Sequence, residues 1–188
     1  MSLEEKINEL EIRRILVVDD KPENIAAAKQ YFGALEQYGV KVEYAQSAKQ
    51  AEEMIKSAFQ AKDKYSIVLS DLEMESPKCG LDVIRQAIEY LAQGFIVSGF
   101  DGSSTGHGMY TKIYPKKVLP SYIEGTKQKA WVWEKAFEAV IKHIATEGKA
   151  LFDSTERFYR LLKKEVTLTD YLVTSGMYPF RELAGLER

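Results

Sequence analysis

The feature that most constrains this chain is the run Ile15-Leu16-Val17-Val18, wholly apolar and stopped abruptly by Asp19-Asp20. A strand with no polar face must be covered on both sides, which is how a central parallel strand reads. Two later runs repeat the pattern. Tyr65-Ser66-Ile67-Val68-Leu69-Ser70 ends at Asp71, and Phe95-Ile96-Val97 ends at Ser98. Val40, Val42 and Tyr44 alternate as a further strand.

Helical periods fill the gaps. Pro22 opens a helix carrying Ile25, Ala28, Phe32 and Leu35, and Gly39 closes it. Ser47 caps a helix with Ala48, Ala51, Ile55 and Phe59. Gly80 precedes one with Leu81, Ile84, Ile88 and Leu91. Residues 3–11 carry Leu3, Ile7 and Leu10 at helical spacing. Alternation of this kind predicts a doubly wound parallel α/β sheet joined by right-handed crossovers.

After Ser98 the rhythm changes. Phe100 to Lys112 is rich in Gly, Ser and Thr and reads as a loop. A fifth strand is expected within Lys117 to Ile123, with Pro120 an awkward member. Ala130 to Ile144 places Trp133, Phe137, Val140 and Ile144 on one helical stripe, with Trp133 in the core and Trp131 half exposed. Gly148 marks a break before a second helical stretch, Leu151 to Lys164. The expected architecture is a five-stranded α/β domain over residues 1–147 and a helical C-terminal extension over residues 148–188.

Composition narrows the function. The 188 residues are 45% hydrophobic and 29% charged, with a formal net charge of −2. That suits a packed core and gives no broad attraction to nucleic acid or acidic membranes. The single cysteine, Cys79, excludes an intrachain disulfide and reads as a small loop residue in a reducing compartment. The charged N-terminus lacks the apolar region of a signal peptide, and no apolar run is long enough to span a bilayer. The expectation is a cytoplasmic protein with neither nucleic acid nor membrane as partner. His107, in Gly106-His107-Gly108, reads as a solvated loop residue because a metal site needs several ligands.

Open parallel sheets bind ligands at the carboxyl ends of their strands. Asp19, Asp20, Asp71 and Ser98 all fall on that edge. Carboxylates gathered in one pocket repel unless a cation joins them. Mg²⁺ accepts oxygen ligands and retains waters, leaving room for a phosphoryl oxygen. Asp71 is placed to attack phosphorus and form an acyl phosphate. Ser98 would bond a phosphoryl oxygen, and a lysine would neutralise the remaining charge.

The segment Ile15-Leu16-Val17-Val18-Asp19-Asp20-Lys21-Pro22-Glu23-Asn24 resembles the first-strand motif of response-regulator receiver domains. Val68-Leu69-Ser70-Asp71-Leu72-Glu73-Met74, followed by Gly80-Leu81-Asp82-Val83-Ile84, is similar to that family's phosphorylation segment. The resemblance covers residues 13–99 well and residues 100–146 loosely. It implies a flavodoxin-like fold and two-component signalling, with Asp71 as phosphoacceptor and Ser98 as switch hydroxyl. It also implies Mg²⁺ held by Asp19, Asp20 and Asp71, with the Glu73 backbone carbonyl. A histidine kinase or small phosphodonor would supply the phosphoryl group.

The chain departs from the family in three places. Glu75-Ser76-Pro77-Lys78-Cys79 lengthens the loop after Asp71, a Gly/Ser-rich loop stands where the fourth helix is expected, and the Lys-Pro pair ending the fifth strand is missing. Lys127 and Lys129 are the candidate site lysines, with Lys116 and Lys117 in reserve. Three functions follow. The first is a stand-alone phosphorylated receiver without a DNA-binding output domain, whose extension serves a downstream partner or a homodimer. The second is a pseudo-receiver that docks partners without phosphotransfer. The third is a Mg²⁺-dependent phosphohydrolase of the haloacid dehalogenase type.

Overall fold

The computed structural model describes residues 1–98 and 127–167. The elements are α1 (Leu3–Glu9), β1 (Arg14–Val18), α2 (Pro22–Phe32), β2 (Lys41–Ala45), α3 (Ala48–Gln60), β3 (Ile67–Ser70), α4 (Cys79–Glu89), β4 (Gln93–Ile96), α5 (Ala130–His143) and α6 (Lys149–Leu162). The four described strands form one parallel sheet in the order β2-β1-β3-β4. The expected fifth strand lies outside the described residues, as do His107, Lys116, Lys117 and the loop around them.

Alternation along each strand divides the core in two. Ile15, Val17, Ile67, Leu69 and Phe95 face α1, α2 and α5, where Phe32, Trp133 and Phe137 are fully buried. Leu16, Val18 and Val68 face α3 and α4 through Ala51, Ile55, Val83 and Ala87. Each large side chain removed from water in this way contributes about 1.5–3 kcal/mol before chain entropy is counted. The sheet is therefore covered on both faces, as the unbroken apolar strands require.

Local chemistry sets the element ends. Pro22 occupies the first turn of α2, where its missing N–H costs nothing. Ser47 caps α3 by accepting from the Gln50 N–H at 3.1 Å. Gly39 takes φ 74°, a conformation glycine adopts without steric cost, to turn the chain into β2.

Several boundaries differ from the sequence reading. Leu35 does not extend α2. The chain tightens into a 3₁₀ turn over Gly33–Tyr38, which still buries Leu35. Tyr65 is not in β3: its hydroxyl donates to Glu43 Oε2 at 3.0 Å and its ring lies under the Arg14 guanidinium. β4 starts two residues earlier than Phe95 and stops at Ile96, so Ser98 stands two residues past its end. Cys79 is not a loop residue but the buried first residue of α4. Gly148 is no break, because a π-helical turn over Ile144–Gly148 carries α5 into α6.

Candidate functional site

Register brings the sequence-distant acids together. Val18 is level with Ala45 and Ser70, and Ser70 with Ile96, so all four described strands end flush. The ladder runs one step further: the Asp19 N–H donates to Ala45 O at 3.1 Å, Asp71 N–H to Val18 O at 2.8 Å, and Val97 N–H to Ser70 O at 2.8 Å. Asp19 and Asp71 are thereby fixed by backbone on adjacent strands. One carboxylate oxygen from each of Asp19, Asp20 and Asp71 lies within 4.8 Å of the others.

Lys127 enters this group from the turn before α5. Its ammonium lies 2.5 Å from Asp19 Oδ2 and 2.8 Å from Asp71 Oδ2, and donates to the Val97 carbonyl at 3.4 Å. Lys129, at the N-cap of α5, is exposed outside the cluster. Ser98 is buried just beyond β4, and Glu73, two residues past Asp71, has an exposed side chain.

The three carboxylates have unequal surroundings. Asp19 is fully buried. Its Oδ1 accepts from the Lys21 N–H at 3.1 Å and from Asn24 Nδ2 at 2.9 Å, while Oδ2 accepts from Asn24 and Lys127. Asp71 Oδ1 accepts from the Leu72 N–H at 2.8 Å. Burial pushes the Asp71 pKa above the ordinary carboxylate range; Lys127 opposes the shift and Asp19 adds to it. Asp20 Oδ1 is buried with no hydrogen-bond partner. A carboxylate oxygen stripped of water without a replacement donor is costly, and a divalent cation would satisfy it. An all-oxygen donor set with such an orphan fits a hard cation of the Mg²⁺ type.

Sequence reasoning missed three residues that shape this site. Asn24 stands at the end of the first-strand motif, and it holds both oxygens of Asp19. Gly80 packs so closely that a Cβ there would lie 1.8 Å from the Asp71 carbonyl oxygen, which leaves room only for glycine. Glu75, in the lengthened loop, accepts from the Ala48 N–H at 2.7 Å and so ties that loop to the start of α3. Asn24 sits five residues after Asp19, in the first turns of the helix that follows, and that spacing is the one signal pointing to it. The other two contacts depend on chain segments meeting in space.

No family model and no curated protein matches the chain. Solved structures that it is similar to include receiver domains. A response regulator receiver protein from Sinorhizobium medicae WSM419 is 21% identical, with a TM-score of 0.45 over 69% of this chain and 98% of that one. A receiver domain protein from Clostridium thermocellum is 19% identical, TM-score 0.44, over 69% and 94%. The receiver domain of the hybrid histidine kinase CckA is 24% identical, TM-score 0.36, over 50% and 79%. The described strand order occupies the first four places of the flavodoxin-like order 2-1-3-4-5. The fold is a doubly wound parallel α/β sheet. Among the described residues no helix is long and apolar enough to cross a membrane.

Proposed function

We propose that this receiver-like protein accepts a phosphoryl group on Asp71 in a Mg²⁺-dependent reaction. The observation that carries the reading is the convergence of three carboxylates and one ammonium at the carboxyl edge of the sheet. Asp19, Asp20 and Asp71, with the Glu73 backbone carbonyl, would hold the ion. When bound, Mg²⁺ supplies charge neutralisation for phosphoryl oxygens and attacking carboxylate alike.

The chain's own groups do the rest. An Asp71 carboxylate oxygen attacks phosphorus, the bond from phosphorus to the donor breaks with its electron pair leaving on the donor, and an aspartyl phosphate remains. Asn24 and the Lys21 N–H hold Asp19 in one orientation. Lys127 would follow the charge from the carboxylates to the phosphoryl oxygens, and the Ser98 hydroxyl would bond one of them. The phosphodonor would be a histidine kinase or a small acyl phosphate. The protein would act in the cytoplasm, and its C-terminal extension, residues 148–188, would serve a downstream partner or a second copy.

One observation favours a second reading, a pseudo-receiver that docks partners without phosphotransfer. The Lys127 ammonium already occupies an oxygen of Asp71 and of Asp19. Incubation with acetyl phosphate and Mg²⁺, followed by intact-mass measurement, separates the two. A mass gain of one phosphoryl group that is lost in EDTA and in Asp71→Asn is expected. A folded wild-type protein that binds Mg²⁺ but gains no mass leaves the docking module. Turnover of an aryl phosphate would point to the phosphohydrolase.

A further inference from the structure

We propose that Trp133 is a positioning residue for Lys127, its indole N–H fixing the backbone from which the ammonium reaches Asp19 and Asp71. The inference rests on the phosphoacceptor reading and adds to it a link between the site and α5. Lys127 is held at both ends. Its ammonium meets Asp19 Oδ2, Asp71 Oδ2 and the Val97 carbonyl, and its own carbonyl accepts from Trp133 Nε1 at 2.7 Å.

Packing alone does not call for an indole here. Trp133 is fully buried, with its ring 6.2 Å from Phe32 in an edge-on contact and Phe137 in the same core. A phenyl ring would supply much of that contact. The indole N–H, a donor only, is what phenylalanine lacks, and it is spent on the Lys127 carbonyl. The lysine stem is long and flexible, so its ammonium is placed reproducibly only if its backbone is held. From the fourth residue of α5, the tryptophan reaches back six positions to do this.

The ammonium and a divalent cation would compete for the same oxygens of Asp19 and Asp71. Loosening Lys127 should therefore let the cation bind more tightly while removing positive charge from the transferring phosphoryl group. A purely structural role would weaken both together. This difference of sign separates positioning from packing.

The test uses the full chain as wild type, Trp133→Phe and Phe137→Leu, the last a loss of bulk in the same core without a lost polar contact. Mg²⁺ affinity is measured by calorimetry, phosphoryl labelling by mass with acetyl phosphate, and folding by thermal denaturation. Trp133→Phe is expected to label about fivefold more slowly and to bind Mg²⁺ about twofold more tightly, the scale of one lost hydrogen bond. Phe137→Leu should lower the melting temperature and leave both values near wild type.

Unchanged labelling and affinity in folded Trp133→Phe would overturn the inference, as would a joint weakening of both. If the wild type binds Mg²⁺ but is never labelled, the phosphoacceptor reading fails and Mg²⁺ affinity alone decides the role of Trp133. Should Trp133→Phe not fold, the wild-type indole N–H resonance, assigned against Trp131→Phe, decides. A shift on Mg²⁺ addition is expected, and its absence overturns the proposal.

Discussion

At its two ends the sheet buries lysine against carboxylate in different proportions. At the carboxyl end, three carboxylates gather, Lys127 pairs with two of them, and one oxygen of Asp20 has no hydrogen-bond partner. At the amino end, the charges answer one another. Lys64 pairs with Glu156, lies 5.0 Å over the Tyr159 ring, and its backbone N–H donates to the Tyr159 hydroxyl at 3.1 Å. Beside it, Arg14 pairs with Glu43 at 2.6 Å and Asp63 at 2.8 Å, and Lys41 joins Glu43 at 3.3 Å. Burial lowers the Lys64 pKa, and Glu156 opposes that shift. Matched charge fastens α6 to the segment before β3, whereas surplus negative charge makes a place for a cation that the polypeptide does not supply.

The sharpest way to break this contrast is to remove each lysine. Lys127→Met strands buried carboxylates and should cost about 3 kcal/mol in EDTA. Saturating Mg²⁺ should recover much of that loss. Lys64→Met should cost about 1–2 kcal/mol, because Glu156 keeps some access to water, and Mg²⁺ should not restore it. Urea denaturation with and without Mg²⁺ reads both. Equal responses to the ion would erase the distinction between the two ends.

A smaller effect follows from the raised pKa of Asp71. The folded state holds the Asp71 proton more tightly than the unfolded chain does. The stability tied to this group is therefore full below the ordinary carboxylate pKa and is lost as pH rises through the higher folded value. Asp71→Asn cannot ionise, so in EDTA it should gain stability over wild type as pH rises from about 4 towards neutrality. Melting temperatures across that range check the sign, and a gap that shrinks with rising pH would contradict it.

The smallest expected change lies at the amino end. Tyr159→Phe removes the acceptor for the Lys64 N–H but keeps the ring, and should cost about 1 kcal/mol. Phosphoryl labelling of Asp71 should stay at the wild-type rate. A change in labelling would show that α6 reports to the site across the sheet.

The strand runs, their acidic ends and the helical stripes were legible in the sequence because each depends on local periodicity and on covering both faces of the sheet. Those runs alone placed Asp19, Asp20 and Asp71 on one edge, since a parallel sheet points every strand the same way. The tertiary structure decided what local pattern cannot hold. Lys127 rather than Lys129 meets the carboxylates, Asn24 occupies Asp19, and Gly80 presses on the Asp71 carbonyl. It also carried the helix through Gly148 by a π-turn instead of stopping it. Each of these turns on distances between atoms separated by several to many residues. Such distances follow from how the segments pack, and the amino-acid order expresses them only after the chain has folded.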